Sequence, residues 1–367
     1  MPAERKKIVI SPLNWGFGHA GRMIPIAQRL QQMGHEIIFG ADADLIPMIR
    51  QELPGIEVIE VPGIKMHYSR FMPQYMAVLL QVPAVIFASV REHRHLKRII
   101  RHKHPDIVIS DNRFGFFNRN LFCVYVTHMI RIPFPKPFRF LDFIGIILHR
   151  KIINRYDACL VPDIMGPANL AGALSHVKKR YAKIIYAGLL SRFKAVNPMP
   201  AETEPYICLI LSGPEPQRTI LLRKVSSAAE KNKKKLIVLS TTKVDSSNNK
   251  DNITFVIGRP SSVLQSYIEK AEVVICRSGY TSLMELVSLS KRAIIIPTPG
   301  QTEQEYLGEY NNGRWGFTCI RQNEIDKIDF QGMTYPEYDT TFNEGSFRLI
   351  DEALNEILDK ENKRANH

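Results

Sequence analysis

The sequence is poor in the features that mark several large classes of protein. Cysteine is scarce: five residues are far apart, none belongs to a C-x-x-C pair, and four of them lie in apolar runs. Such cysteines behave as small hydrophobic residues, which argues against a disulfide or zinc scaffold and predicts a reducing compartment. No signal peptide precedes the first predicted strand, so we expect a cytoplasmic protein.

Long hydrophobic runs are absent as well. The most apolar stretch, MAVLLQVPAVIFASV (Met76–Val90), is interrupted by Gln81 and Pro83. It is shorter than the roughly 20 residues that a helix needs to cross a bilayer. Low-complexity tracts and short repeats are also missing. With 45% hydrophobic and 23% charged residues, the composition is that of a globular protein, and 367 residues suffice for two ordinary domains.

Acidic residues are too few to balance the basic ones. The sequence has 36 Asp and Glu against 49 Lys and Arg, a formal net charge of +13. The excess is concentrated in REHRHLKRIIRHKH (Arg91–His104) and VKKRYAKIIYAGLLSRFK (Val177–Lys194). An anionic partner is therefore expected, and a phosphorylated substrate or an anionic lipid surface would qualify. Nucleic acid is not predicted, because no aromatic-rich recognition motif or helix-turn-helix pattern accompanies the charge.

Two apolar stretches adjoin these basic segments, Met76–Val90 and FRFLDFIGIILHRKI (Phe138–Ile152). If they are exposed, they would hold the protein as a peripheral protein on the anionic inner face of a membrane. The alternative is that both are core helices. The sequence leaves the two interpretations open.

Short β-rich runs alternate with helical patterns through two successive series. The strands are apolar on both faces, as parallel strands covered by helices must be. The pattern predicts an α/β protein with two Rossmann-like, doubly wound domains that face a central cleft. We assign residues 1–191 to the first domain, the proline-containing polar stretch 192–205 to a linker, 206–341 to the second domain and 342–367 to a C-terminal helix.

The first glycine-rich segment, SPLNWGFGHAGRMIPIAQRL, contains a literal G-x-G-x-x-G. A dinucleotide-binding turn is one interpretation, since Asp42 and Asp44 follow about 20 residues later. However, PLNW separates Gly16 from the predicted strand, which makes the loop longer than that motif requires. Gly16 and Gly18 permit close backbone approach before a helix that we predict to begin near Gly21. His19 is then a candidate general base, the alternative being a structural loop histidine.

The segment VVICRSGYTSLMELVSLSKRAIIIPTPGQTEQE in the second half predicts strand, turn, helix, strand and helix in succession. Thr281, Ser282 and Glu285 follow Gly279 at the start of the first helix. One interpretation is a capping box, in which a hydroxyl begins the helix and an acid follows three residues later. The other is a ligand site, with backbone N–H groups on a phosphate and the carboxylate on hydroxyls of a ribose or sugar.

Together these motifs resemble the MurG-like GT-B glycosyltransferases, which transfer N-acetylglucosamine from a UDP-sugar. RSGYTSLMEL matches the Arg-x-Gly…Glu donor motif of that family, PTPGQTEQEYLGEYNNGRWG its Pro…Gln-Gln…Asn…Gly segment, and NWGFGHAGRMIPIAQRL its amino-terminal Gly-x-Gly-His loop. The resemblance spans both halves in the expected order.

The resemblance implies a role for each matching residue. Glu285 would bind the ribose hydroxyls, Gln304 the sugar, and the backbone of Ile257 the uracil edge. His19 would lie near the acceptor, with Gly16 and Gly18 forming an acceptor or phosphate loop. The residues implied near the diphosphate are Gly279, Tyr280, Thr281 and Ser282, together with Ser212 and Gly213 in the first loop of the second half.

The chain departs from the family pattern at three places. Glu305 stands where the family often has a second glutamine, and the first loop of the second half reads SGPEPQR instead of being glycine-rich. The segment HMIRIPFP lacks the polar acceptor motif of the peptidoglycan enzymes. The last departure argues that the acceptor is a different lipid-linked or cell-envelope glycan.

The sequence therefore predicts an inverting hexosyltransferase that uses a UDP-sugar and needs no metal or other cofactor. Asp42-Ala-Asp44 lies away from the predicted donor half and is assigned to the surface. Two other functions stay open: a UDP-sugar 2-epimerase-like enzyme, and a non-catalytic partner subunit of a membrane glycosyltransferase.

Overall fold

The computed structural model describes residues 4–63, 76–77, 80–134, 136–177, 183–193, 204–244, 251–330, 336 and 343–365. The chain forms two compact units. One consists of Met1–Lys65, Leu80–Arg192 and Phe342–His367, and the other of Met66–Leu79 and Phe193–Thr341. Most of the predicted linker (194–203) and parts of the apolar stretch at 76–90 and the basic run at 177–194 lie outside the described residues.

The first unit is built on a parallel sheet of seven strands in the order β3-β2-β1-β4-β5-β6-β7. Its central strands are buried on both faces, which explains their nearly continuous apolar sequence. The strands are β1 (Lys7–Pro12), β2 (Glu36–Ala41), β3 (Glu57–Glu60), β4 (Ile107–Asp111), β5 (Phe122–Val126), β6 (Ala158–Val161) and β7 (Ile184–Tyr186).

Helices cover both faces of this sheet. Residues of α1 (Phe17–Gln32), α2 (Ile46–Glu52) and the C-terminal α9 (Asn343–Ala365) share one hydrophobic core with the strands. Residues of α3 (Val82–Lys103) and α4 (Asp142–Ile153) share the core on the other face. The C-terminal helix therefore belongs to the first unit, although it follows the second along the chain.

The second unit repeats this architecture with six parallel strands in the order β10-β9-β8-β11-β12-β13. Its strands are β8 (Tyr206–Leu211), β9 (Lys235–Ser240), β10 (Ile253–Ile257), β11 (Val273–Cys276), β12 (Ala293–Ile295) and β13 (Phe317–Cys319). Its helices are α5 (Gln217–Lys231), α6 (Ser261–Lys270), α7 (Tyr280–Ser288) and α8 (Thr302–Asn311).

Both sheets have a topological switch point, where the strand order reverses. It lies between β1 and β4 in the first unit and between β8 and β11 in the second. Loops that follow these neighbouring strands leave in opposite directions, so a crevice opens at the carboxyl ends, where ligands of such sheets bind. The segments singled out in the sequence follow β1, β8, β11 and β12.

Candidate functional site

His19 and Asp111 meet at the switch point of the first unit. His19 lies in the first turn of α1, just after β1, and Asp111 is the last residue of β4. Strands β1 and β4 pair in parallel with Pro12 opposite Asp111, which brings both segments to the same edge. The His19 Nδ1 atom lies 2.9 Å from Asp111 Oδ2. A ring whose Nδ1–H donates to this carboxylate carries its lone pair on Nε2.

A buried arginine completes this cluster. The Arg22 guanidinium donates from Nε to Asp111 Oδ2 at 2.9 Å and from Nη2 to Oδ1, a two-pronged ion pair. Its Nη2 also lies 2.9 Å from His19 Nδ1, and its Nη1 lies 3.1 Å from Nδ1 of His128. Arg22 and Asp111 are both almost completely buried, whereas the His19 side chain is 18% exposed. His19 is therefore the member of the cluster that can reach a ligand.

The pKa values of the cluster follow from this arrangement. Burial alone would raise the pKa of Asp111, but the charges and hydrogen bonds of Arg22 and His19 hold it at about 2. Burial lowers the pKa of His19 below its usual 6.5; Asp111 acts in the opposite direction, while Arg22 and His128 add to the lowering. At neutral pH, His19 is thus uncharged and has a lone pair that can accept a proton.

Three members of this cluster were missed in the sequence. Arg22 lies one helical turn beyond His19, so the spacing alone offered a signal. Asp111 is 92 residues from His19, and its only local mark is its place at the end of the apolar run DIVISD. His128 likewise follows β5. An acid or histidine directly after a buried parallel strand was the available clue, because all such ends share one sheet edge.

The glycine loop differs from the prediction in one respect. Helix α1 begins at Phe17, four residues before the expected start, so Gly18 and His19 lie in its first turn and not in a loop. Gly16 is the residue before the helix and has a φ of +117°, a conformation that favours glycine. This turn lets the helix begin early and presents its first N–H groups at the sheet edge.

The structure places the predicted donor residues of the second unit at the carboxyl edge of its sheet. Ser212 and Gly213 directly follow β8, and Gly213 has a φ of +93°. Gly279 follows the neighbouring β11 and precedes α7, in whose first turn Tyr280, Thr281 and Ser282 lie. Ile257 is the exposed last residue of the edge strand β10.

The capping-box interpretation of Glu285 is wrong. Helix α7 begins at Tyr280, so the residue before it is Gly279, which has no side chain to cap the helix. Thr281 and Ser282 are already helical, and Glu285 lies in the second turn instead of the first. Glu285 is 5% exposed. The other interpretation of Glu285, as an acid that binds a ligand, stays a prediction.

Gln304 and Glu305 lie in the first turn of α8 and both hold the loop before it. Gln304 Oε1 accepts a hydrogen bond from the Thr298 backbone N–H at 2.9 Å, and Glu305 Oε1 accepts one from the Gly300 N–H at 2.8 Å. The Ser278 hydroxyl donates to the Gln304 carbonyl at 2.8 Å, which joins this helix start to the loop after β11. With its oxygen so fixed, the Gln304 amide directs its N–H₂ group towards Gly279.

Arg277 is a second functional candidate that the sequence did not single out individually. Its guanidinium is buried, and within the described residues its hydrogen bonds go to carbonyl and amide oxygens, at Gln217, Ile296, Pro297 and Gln322. No ion pair of Arg277 with a carboxylate occurs in that part of the chain. Burial lowers its pKa to about 10, so it stays charged at neutral pH. The edge of the second sheet therefore carries a positive charge, which suits a diphosphate.

Two features bear on the dinucleotide-binding interpretation and on the question of a metal. Asp42, the acid of the dinucleotide-binding interpretation, accepts a hydrogen bond from the Gly63 N–H at 3.1 Å and thus holds the chain after β3. Among the described residues, no cluster of three or more His, Cys, Asp and Glu side chains could hold a metal ion.

Comparison with known proteins agrees with this architecture. Residues 208–327 match the model of the glycosyltransferase family 28 C-terminal domain. An uncharacterized glycosyltransferase of Methanosarcina mazei is 24% identical over 325 residues, which cover 82% of this chain and 81% of that protein. A spinosyn rhamnosyltransferase complexed with thymidine diphosphate superimposes with a TM-score of 0.62 at 14% identity, over 95% of this chain and 96% of that one.

The chain has the GT-B glycosyltransferase fold. The calicheamicin glycosyltransferase is similar in the same way, with a TM-score of 0.60 at 12% identity over 96% of this chain and 95% of that one. The predicted α/β class with two Rossmann-like domains is confirmed. The family model and the relative from Methanosarcina mazei support a glycosyltransferase as the class of enzyme.

Proposed function

We propose that this protein transfers a hexosamine, N-acetylglucosamine in the first instance, from a UDP-sugar to an acceptor hydroxyl with inversion and without a metal. The observation that carries the proposal is the contact between His19 and Asp111 at the switch point of the first unit. An uncharged imidazole, oriented by a buried carboxylate and partly exposed, is the group that can deprotonate a hydroxyl at neutral pH.

The first unit supplies the base in this reaction. His19 Nε2 takes the proton of the acceptor hydroxyl as that oxygen attacks the anomeric carbon. The bond between the anomeric carbon and the phosphate oxygen breaks on the opposite side, and UDP leaves with the bonding electrons. Asp111 stabilises the imidazolium that forms on His19. A single displacement of this kind inverts the configuration at the anomeric carbon.

The second unit supplies the donor site. The N–H groups of the first turn of α7 and the Arg277 charge favour the diphosphate as negative charge develops on it. Glu285 accepts hydrogen bonds from the ribose diol, and the Gln304 amide binds a sugar hydroxyl. The spinosyn rhamnosyltransferase is complexed with thymidine diphosphate, so a protein of this fold binds a nucleoside diphosphate, which supports the proposed class of donor.

A thermal-shift panel of nucleotide sugars tests the donor assignment. At a concentration of 100 Kd, a ligand stabilises the native state by about 2.7 kcal/mol and raises its Tm. We expect a shift with UDP and a larger one with UDP-N-acetylglucosamine, and none with NADH. A larger shift with thymidine diphosphate sugars would contradict the uridine assignment. Formation of a C2 epimer without an acceptor would contradict transfer.

An acceptor on a membrane fits the surface of the first unit. In α3, Ile86 and Phe87 are 62% and 70% exposed, and Phe140 and Phe143, before and within α4, are 71% and 56% exposed. Both helices cover the same face of the sheet. The exposed side of α3 becomes cationic in its second half, at Arg91, Arg94, Lys97, Arg98 and Arg101. Apolar side chains beside cations favour an anionic lipid surface. Among the described residues, no helix is long and apolar enough to cross a bilayer.

Vesicle sedimentation tests this part of the proposal. The wild type should bind vesicles that contain anionic lipid and should bind neutral vesicles only weakly, because each Lys or Arg near an anionic surface contributes about 1 kcal/mol of attraction. Binding to the anionic vesicles should weaken at high salt. Phe87→Ser combined with Phe143→Ser should abolish binding. The control is Val263→Ser on α6, an exposed apolar residue of the second unit. Equal binding of neutral and anionic vesicles, or full binding by the double variant, would contradict the proposal.

A further inference from the structure

We propose that Arg22 is a positioning residue that keeps His19 uncharged, by neutralising the carboxylate that would otherwise favour the protonated form of the ring. The inference rests on the proposed role of His19 as a base. It concerns what sets the pKa of the base. A histidine beside an unpaired buried carboxylate would gain a proton near neutral pH and be unavailable as a base.

The contacts of Asp111 support this role. Its two oxygens accept from Nε and Nη2 of Arg22, so the guanidinium satisfies both sides of the carboxylate. His19 reaches only Oδ2, which it shares with Arg22 Nε. The pair carries no net charge, so it attracts a protonated ring less strongly than an unpaired carboxylate would.

The contact between Arg22 and His19 acts in the same direction. Nη2 of Arg22 can only donate hydrogen bonds, and it lies 2.9 Å from Nδ1 of His19. Because Nδ1–H already donates to Asp111, the ring gains its second proton at Nε2, and the imidazolium then places a second positive charge beside the guanidinium. Within the part of the chain that the structure describes, the titratable groups that act on His19 are Asp111, Arg22 and His128, and of these only Asp111 favours its protonation.

Arg22 therefore lowers the proton affinity of His19 and at the same time keeps its lone pair unprotonated at neutral pH. An imidazole of lowered pKa is uncharged at neutral pH, and the activity it supports extends to more acidic pH before protonation removes it. The direction of each pKa change follows from the charge that is removed. Without the Arg22 charge the pKa of His19 rises, and without the Asp111 charge it falls further.

Titration of His19 by NMR in the full-length protein, labelled at the histidine rings, tests the proposal. The His19 resonance is assigned by its loss in His19→Gln. Arg22→Gln should raise the His19 midpoint by about one pH unit or more, and Asp111→Asn should lower it by a similar amount. In Arg22→Gln/Asp111→Asn both charges are gone, and the midpoint should return close to that of the wild type. Arg22→Lys, which keeps the charge, should shift it less than Arg22→Gln.

This order of midpoints is not expected if Arg22 merely supports the fold. Arg22→Gln leaves a buried carboxylate without its partner, and Asp111→Asn leaves a buried guanidinium without one, so the Tm of both single variants is measured first. If Arg22→Gln does not fold, the comparison of Asp111→Asn with the double variant decides, because the two differ only in the Arg22 charge. Equal His19 midpoints in those two proteins would overturn the proposal. The same holds if the His19 midpoint in Arg22→Gln equals that of the wild type. The titration needs no donor or acceptor, so its outcome is independent of whether the transferase assignment is correct.

Discussion

His19→Ala should lower turnover by about 10²- to 10⁴-fold while leaving the affinity for the nucleotide sugar nearly unchanged. The reason is that the variant removes the group that takes the acceptor proton, whereas the residues proposed to hold the donor belong to the second unit. The Arg22–Asp111 pair stays intact, so we expect the fold to be preserved. Initial rates with a UDP-sugar and an acceptor, together with calorimetry of donor binding, measure the two effects.

His102→Ala is the matched control for this experiment. His102 is exposed in the last turn of α3, away from the carboxyl edge of the sheet. Its removal should change neither turnover nor donor affinity. If His19→Ala has the same turnover as this control, His19 is a structural histidine and the base assignment fails.

Glu285→Gln should weaken the binding of UDP and of the UDP-sugar by about tenfold or more, which is about 1.4 kcal/mol. A carboxylate accepts two hydrogen bonds from a ribose diol, and bonds to a charged group contribute about 1.5–3 kcal/mol each. An amide of the same shape keeps one acceptor and loses the charge. Calorimetric titration of both proteins with UDP gives the comparison.

The stability of the Glu285 variant provides an internal check. Since α7 begins at Tyr280 after Gly279, Glu285 has no role in capping that helix, and the substitution keeps the side-chain volume. The Tm without ligand should therefore move little. Glu309→Gln, an exposed change on α8, is the control for loss of one negative charge in the same unit. UDP affinity equal to that of the control would remove Glu285 from the donor site.

The order of strands and helices was accessible from the sequence because it depends on local patterns. Apolar runs of four to six residues, such as KIVISP and YICLIL, are buried strands. Gly16 and Gly279 were identified as turn residues because each lies between a predicted strand and a predicted helix, where glycine permits a sharp change of direction. The start of α1 was predicted too late, since the glycines at its second and fifth residues, Gly18 and Gly21, are more typical of a loop.

The identity of the site depended on which strand ends are neighbours. Nothing local relates His19 to Asp111: they meet because β1 pairs with β4, and that pairing follows from the packing of all the strands and not from either segment. Arg22 was within one turn of His19, yet its meaning appears only once a buried carboxylate is placed beside it.

The final helix makes the same point about domain membership. The apolar residues at 350, 354 and 357 give this helix a hydrophobic face, but such a face does not specify its partner. In the structure, Leu354 and Ile357 are buried in the core of the first unit, and Arg29 pairs with Asp351. The sequence alone determined the elements, their class and the segments that follow each strand. The tertiary structure decided which of them meet, because strand order and helix docking are set by the complementarity of whole surfaces that lie far apart along the chain.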